Sequence, residues 1–250
     1  MKKGTFLSLG ILIGIWWSLP GLLKLPKYIL PTPLDVIKVF INHYHIIWEH
    51  TCTTLKEAGL GLVISFLLGI CVAIMMNRSR ALRNSIYPIL VLSQSIPIVA
   101  IAPLITIWLG LGTTSKLVVV ILVCFFPIAV NSYEGFKSID RDYIDVMLVM
   151  KATRYQIYRY VIIPSTLPQI LSGLKISASY AVIGAVIAEW LGGEKGLGIY
   201  MIRVMSTYDT DKLFAAIVVV VFFSLIFFKL IDMGESLFLP WIKLKTKEEV

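Results

Sequence analysis

Residues 213–231 read LFAAIVVVVFFSLIFFKLI, a run interrupted by a single ionisable side chain, Lys229. A helix crossing the bilayer core needs about 20 consecutive, mostly apolar residues. This run therefore reads as a membrane span, and the same test applied outward along the chain finds five more. They lie at about Phe6 to Leu23, Leu55 to Met76, Ile86 to Leu109, Leu117 to Val130 and Leu174 to Leu191. The run from Leu117 is short, roughly 21 Å as a helix, so it must borrow neighbours such as Thr114 and Asn131 or sit within a bundle. The composition agrees. The chain is 58% hydrophobic and 15% charged, against roughly 25% charged in soluble domains. The expected fold class is an all-α integral membrane protein with six transmembrane helices.

The basic residues fall between the apolar runs. Lys2 and Lys3, the group Arg78, Arg80 and Arg83, the set from Lys137 to Lys175, and Lys243, Lys245 and Lys247 share one side if there are six spans. The positive-inside rule then predicts that both termini and the 131–173 loop are cytoplasmic. The formal charge of +8 accordingly sets orientation, and nucleic acid is not expected as a partner, since no basic stripe with aromatics sits on a soluble module. No small-residue cleavage site follows the first apolar run, so it reads as a retained anchor. Cys71 and Cys124 lie inside apolar runs, Cys52 stands alone, and no CxxC spacing occurs. The expected organisation is an N-terminal span with an external segment (1–50), a transmembrane domain (51–235) and a basic tail (236–250). Within the external segment, apolar residues from Val36 to Ile47 recur at helical spacing, which predicts an amphipathic helix on the outer surface.

The 131–173 loop is the least membrane-like part. Asp140 and Asp142 suit the positive end of a helix dipole, and Ile144, Met147, Leu148 and Lys151 follow at i, i+3, i+4 and i+7. Thr153 and Gln156 form a T-x-x-Q capping box that opens a second helix. Pro164 is expected to stop that helix and Pro168 to repeat the stop. A helix, a tight turn near Met150–Thr153 and another helix make an elbow suited to mechanical contact with a soluble partner, or an amphipathic loop resting on lipid.

The stretch Asp145-Val146-Met147, Lys151, and Val161-Ile162-Ile163-Pro164 resembles the EAA loop of binding-protein-dependent ABC importer permeases, whose pattern is E-A-A, three residues, G, nine residues, I-x-L-P. The spacing matches at 145, 151, 161, 163 and 164, with Asp for Glu, Val-Met for Ala-Ala, Lys for Gly and Ile for Leu. Leu30 to Pro33, Ser95 to Pro103, Trp108 to Gly112, Phe125 to Pro127, Ala188 to Gly192 and Gly196 to Gly198 are similar, in order, to the nitrate/sulfonate/taurine branch. The resemblance implies a type I importer permease with the coupling loop between helices 4 and 5. Asp145, Val146, Met147, Lys151, Ala152, Thr153, Ile163 and Pro164 would dock a cytoplasmic ABC ATPase subunit. It also implies an extracytoplasmic solute-binding protein and a second permease copy. The chain has no G-x-x-x-x-G-K-[ST], so ATP and Mg are expected on the partner ATPase, with no cofactor, metal or catalytic residue in this chain. The stretch from Glu189 to Arg203 looks most like permeases for the thiamine pyrimidine precursor; sulfonate or taurine, nitrate and riboflavin are the alternatives.

Polar groups within spans are expensive unless they find partners or line a cavity. Gln94, beside Pro97, reads as lining the translocation path or as an interhelical hydrogen bond. Glu189 reads as path-lining or gating. Ser177, Ser179 and Tyr180 either line the path or pack helices. His43, His45 and His50 with Glu49 invite a metal reading, but His45 points away from the face that His43 and His50 share. Gly192 to Gly198 reads as a turn or short re-entrant hairpin, and Gly10-x-x-x-Gly14 as a close-packing motif. A self-sufficient secondary transporter remains the rival class, although no internal repeat is evident.

Overall fold

The computed structural model describes residues 3–239, which leaves Lys2, Lys243, Lys245 and Lys247 outside the described residues. Among these residues every regular element is helical: α1 (Lys3–Leu22), α2 (Pro33–Arg78), α3 (Arg80–Ser93), α4 (Ile98–Leu109), α5 (Thr113–Lys137), α6 (Arg141–Val149), α7 (Arg154–Ile157), a π turn (Tyr158–Ile162), α8 (Ile163–Trp190), α9 (Leu197–Ser206) and α10 (Thr210–Phe238). In a bilayer each backbone N–H and C=O must be paired within the chain, which leaves helices as the solution for an open polypeptide.

Four helical stretches are long and apolar enough to cross a membrane: α2, the run from Arg154 to Trp190, α5 and α10. The pair α3–α4 makes a fifth if counted together, bent by 106° at its break. Six were expected. The third, expected over about Ile86 to Leu109, is broken between α3 and α4, and the apolar stretch Gly10–Leu22 of α1 is shorter than a span. The short fourth run does borrow its neighbours: α5 extends from Thr113 to Lys137.

The residues expected to form a surface helix over 34–50 are helical and lie in α2, a 46-residue stretch in which two helices meet across a kink at His43; residues 50 and 51 lie in the second of them. Thr32 caps the start of α2 through a reciprocal box with Asp35. Of the face expected to be apolar, Val36 and Ile47, with Phe40 beside them, pack with Leu197, Tyr200 and Val204 of α9 and Ala215 and Ala216 of α10, whereas Ile37, Ile41 and Tyr44 are exposed. The helical periodicity is observed, and protein covers one edge of the apolar face while the other edge stays exposed.

Pro164 and Pro168 are a correction, since neither stops a helix. A proline removes one backbone donor and its ring clashes with the carbonyl four residues back. The chain meets this with the π turn over Tyr158–Ile162, where Ile163 N–H reaches back to Tyr158 O, and α8 then carries Pro164 in its first turn and Pro168 further in.

Helix α5 is the centre of the bundle, between α2 and α8. Val120, Cys124 and Ile128 are fully buried against Ala58 and Leu62 on one side and Ala178, Ala181, Val182 and Ala185 on the other. The approach is close because it meets glycine: a β-carbon at Gly61 would lie 2.4 Å from Val120 Cγ1, and one at Gly173 would lie 2.8 Å from Pro127 O. Small residues permit such approach between apolar helices. Gly10 and Gly14, by contrast, have open space around them, so they pack no helix within the protomer.

Overpacking a tight contact costs about 1–3 kcal/mol. Gly61→Leu is therefore expected to lower the thermal unfolding midpoint of the detergent-solubilised protein. Gly59→Leu, where a β-carbon meets nothing within 4 Å, is expected to leave it unchanged. Equal midpoints for the two variants would contradict the packing account.

Candidate functional site

The elbow between α5 and α8 is built from caps. Asp140 Oδ1 accepts from Asp142 N–H and starts α6. At the other end Ala152 N–H donates to Met147 O and Lys151 N–H to Leu148 O, the paired bonds of a Schellman motif. That motif needs a left-handed residue after the helix, and Lys151 occupies it with φ 55. The tight turn therefore forms without the glycine that the resembled pattern carries here. Thr153 then opens α7 through the expected box: its Oγ1 accepts from Gln156 N–H and its own N–H donates to Gln156 Oε1 at 2.7 Å.

The side chains at the tip face outward. Val149 is 84% exposed, and Tyr143, Val146, Leu148 and Met150 are exposed beside it. Asp145, Lys151, Thr153 and Ile163 are exposed, and Met147, Ala152 and Pro164 are half-buried. Exposed apolar side chains are thus gathered on this capped helix pair.

The other candidate region is the break between α3 and α4. Gln94 and Pro97 flank it and line a groove of about 440 Å³ with Ser93, Ile101, Phe126 and Tyr180. Three of the residues assigned to a path are thus brought together: Gln94, Pro97 and Tyr180. Ser177 and Glu189 are not. Ser177 is fully buried, with Oγ donating to Cys124 O at 2.7 Å, and Ser179 Oγ donates to Lys175 O.

Glu189 is fully buried and holds the turn between α8 and α9. Its Oε1 accepts from Thr54 Oγ1 at 2.7 Å and its Oε2 from Gly198 N–H at 2.6 Å. Thr54 Oγ1 accepts from Leu197 N–H at 2.8 Å, and His50 Nδ1 accepts from Gly196 N–H at 3.0 Å. Helix starts leave donors unpaired, and here three consecutive N–H groups of α9 find acceptors on α2 and α8. The stretch from Gly192 to Gly198 is accordingly a turn into a helix, with Gly196 at φ +131 and no room for a β-carbon against Glu189. His50 serves this turn, and among the described residues no group of three or more His, Cys, Asp or Glu side chains is placed to hold a metal ion.

The sequence reading passed over Glu57. It pairs with Lys116 at 2.7 Å, joining α2 to the first turn of α5, and both side chains are buried. Its signal was one acid within an apolar run, three residues after Thr54. At the same end Lys195 bonds Glu49 at 2.6 Å, and that hydrogen bond raises the lysine pKa above its ordinary value. At the elbow end Lys175 binds Asp232 at 3.1 Å and also Glu235, tying α8 to α10.

A helical membrane bundle with an exposed capped elbow and a broken helix is the architecture of an ABC importer permease, and the comparisons agree. The family described as binding-protein-dependent transport system inner membrane component matches residues 65–239. Formylaminopyrimidine transport permease protein ThiX of Halalkalibacterium halodurans is 36% identical over 234 residues, 93% of this chain and 94% of that protein. Taurine transport system permease protein TauC of Escherichia coli is 31% identical over 220 residues, 85% and 80% of the two chains. Among solved structures, an amino acid ABC transporter matches with TM-score 0.64 at 19% identity, over 78% of this chain and 95% of that one. A bacterial alginate ABC transporter, solved with its alginate-loaded periplasmic protein, matches with TM-score 0.59 at 18% identity, over 93% and 94%. The chain belongs to the binding-protein-dependent inner membrane component family. It is a multi-pass membrane permease subunit of an ABC importer, and ATP hydrolysis resides in a separate subunit.

The left-handed conformation costs a non-glycine residue about 1–2 kcal/mol. Lys151→Gly is expected to slow amide hydrogen exchange at Ala152 roughly fivefold or more, and Lys151→Val to speed it. No change in either variant would contradict the assigned turn.

Proposed function

We infer that the elbow from Asp145 to Pro164 is the contact through which an ABC ATPase subunit drives this permease, and that the solute carried is a pyrimidine of the formylaminopyrimidine type. The observation that carries the first part is the exposed apolar tip around Val149, bounded by the side-chain caps of Asp140 and Thr153. An apolar tip of this kind pairs with a groove on a partner, and two short capped helices transmit a push without slack. Asp145, Val146, Met147, Lys151, Ala152 and Thr153 form its contacting arm, and Ile163 and Pro164 its junction with α8.

The segregation of lysine and arginine supports an orientation with the elbow and both termini in the cytoplasm. An extracytoplasmic binding protein then meets the opposite end, near Lys195 and Glu49. The broken helix supports a path along the groove beside Gln94, Pro97 and Tyr180, completed by a second permease copy. Prolines free backbone groups at such breaks, and irregular backbone at membrane depth is tolerated where it lines a cavity. The substrate reading rests on the 36% identity to a formylaminopyrimidine permease over nearly the whole chain; the taurine permease is less similar.

Two measurements test these readings. Val149→Glu is expected to leave the protein in the membrane while lowering binding-protein-stimulated ATP hydrolysis of the assembled importer at least tenfold; unchanged hydrolysis would refute the docking role. Cells carrying the complete importer are expected to accumulate formylaminopyrimidine and not taurine, and the reverse would refute the substrate assignment.

A further inference from the structure

A second groove, of about 490 Å³, opens between α3 and α5 at the elbow end of the bundle. Arg83, Asn84 and Tyr87 line it from α3, and Tyr133, Glu134 and Lys137 from α5. It continues the faces that line the groove at the α3–α4 break. Residues three and four apart on a helix are neighbours, and Gln94, Val91, Tyr87 and Asn84 follow one another in this way along α3. Phe126, Val130, Tyr133 and Lys137 do so along α5. Phe126 borders the groove at the break and Tyr133 the elbow-end groove, about 10 Å apart along the helix.

Between the two grooves the seam is shut. Leu90 and Tyr133 are buried in one apolar cluster, with Ile86, Phe126 and Val130 packed against it. On the elbow side of this plug Tyr87 OH donates to Glu134 Oε1 at 2.9 Å, a bond that crosses from α3 to α5. The Tyr87 and Tyr133 rings lie 5.3 Å apart beside it. The groove beyond is polar and open: Lys137 reaches Glu134 Oε2 at 3.5 Å, and Arg83 Nε donates to its neighbour Asn84 at 3.4 Å. Helix α3 also has a joint at each end. Ser79, between α2 and α3, is extended at φ −132 and ψ 119. Pro97, before α4, is extended at φ −65 and ψ 121, and α3 and α4 are bent by 106°. Element-terminal residues are where hinge motions are absorbed.

We propose that α3 is the inner gate of the solute path. The plug around Leu90, Phe126 and Val130 closes it, the Tyr87–Glu134 bond latches it, and the groove beside Arg83 and Lys137 is the mouth through which the solute leaves. The inference rests on the path reading above and adds the element that closes that path. A hydrophobic constriction gates by dewetting, so the plug seals against water and polar solutes without a charged group. A hydrogen bond at an open border contributes little net, because water replaces either partner; the latch is therefore broken and remade readily in each cycle. Swinging α3 about Ser79 and Pro97 takes Tyr87 and Leu90 away from α5 and joins the two grooves.

The test uses inside-out membrane vesicles holding the complete importer, with Cys52, Cys71 and Cys124 replaced by alanine and Gln94→Cys placed beyond the plug. Its rate of reaction with a bulky membrane-impermeant maleimide, added at the cytoplasmic face, is compared between the nucleotide-free importer and the importer trapped with a non-hydrolysable ATP analogue. The two rates are expected to differ at least tenfold, while Asn84→Cys in the mouth reacts similarly in both states. Tyr87→Phe keeps the ring and removes the latch, and is expected to shrink the difference at Gln94→Cys below threefold with an unchanged unfolding midpoint. Val130→Ala, which thins the plug, is expected to do the same and keeps the test open if Tyr87→Phe fails to assemble. Equal rates in the two states with the latch and plug intact, or a difference that both variants retain, would overturn the gate. Right-side-out vesicles separate the two readings. Reaction of Gln94→Cys from the outer face, with no dependence on nucleotide state from the inner one, removes the gate and leaves the path standing; no reaction from either face in either state removes both.

Discussion

Helix α5 lies so close to α2 and α8 that side chains larger than glycine do not fit at the crossing points, and the rest of the molecule is arranged around that contact. In water the burial of apolar surface would hold such helices together. In lipid that driving force is largely absent, and close van der Waals packing replaces it. Gly61 and Gly173 let the helix backbones approach from either side. Three helices joined this tightly move as one body, which fixes where their ends, and hence the functional regions, can lie.

The two ends of this body differ in construction. At one end, α5 leads through Ser138 and Asp140 into the elbow, and the elbow returns through the π turn into α8. Asp140 caps the start of α6, Thr153 caps α7, and from Thr153 the chain runs helically through the π turn into α8. At the other end Glu189, Thr54 and His50 receive the N–H groups of α9, and Glu57 joins Lys116. These buried bonds fasten the α8–α9 turn to α2. The groove at the α3–α4 break lies against α5 and α8 through Phe126 and Tyr180, within reach of any tilt of those helices.

Much of this was legible from residue patterns. The membrane class, the elbow, the capping box at Thr153 and the family all followed from apolar length, helix-terminus chemistry and spacing. The misreadings share a physical cause. Pro164 and Pro168 read locally as stops, but a π turn absorbs the lost hydrogen bond within a longer helix. The 34–50 periodicity reports an apolar face without naming its partner: α9 and α10 cover Val36 and Ile47, while Ile37, Ile41 and Tyr44 stay exposed. Glu189 read as path-lining or gating, and its hydrogen-bond partners Thr54 and Gly198, separated from it by 135 and nine residues, carry no local mark in the sequence. Lys151 departs from the glycine of the resembled pattern, and the tight turn expected near Met150–Thr153 forms all the same, since a non-glycine residue can hold the left-handed position at modest cost.

The central claim is that the tip of the elbow is the contact with the ATPase and that force enters the α5–α8 body there. A photo-reactive phenylalanine analogue placed at Val149 in the complete importer, irradiated in native membranes, measures that contact directly. Covalent capture of the ATPase subunit, with none from the same analogue at Lys195, is the result the account predicts. Capture of lipid alone at position 149, in an importer that still transports, would contradict it.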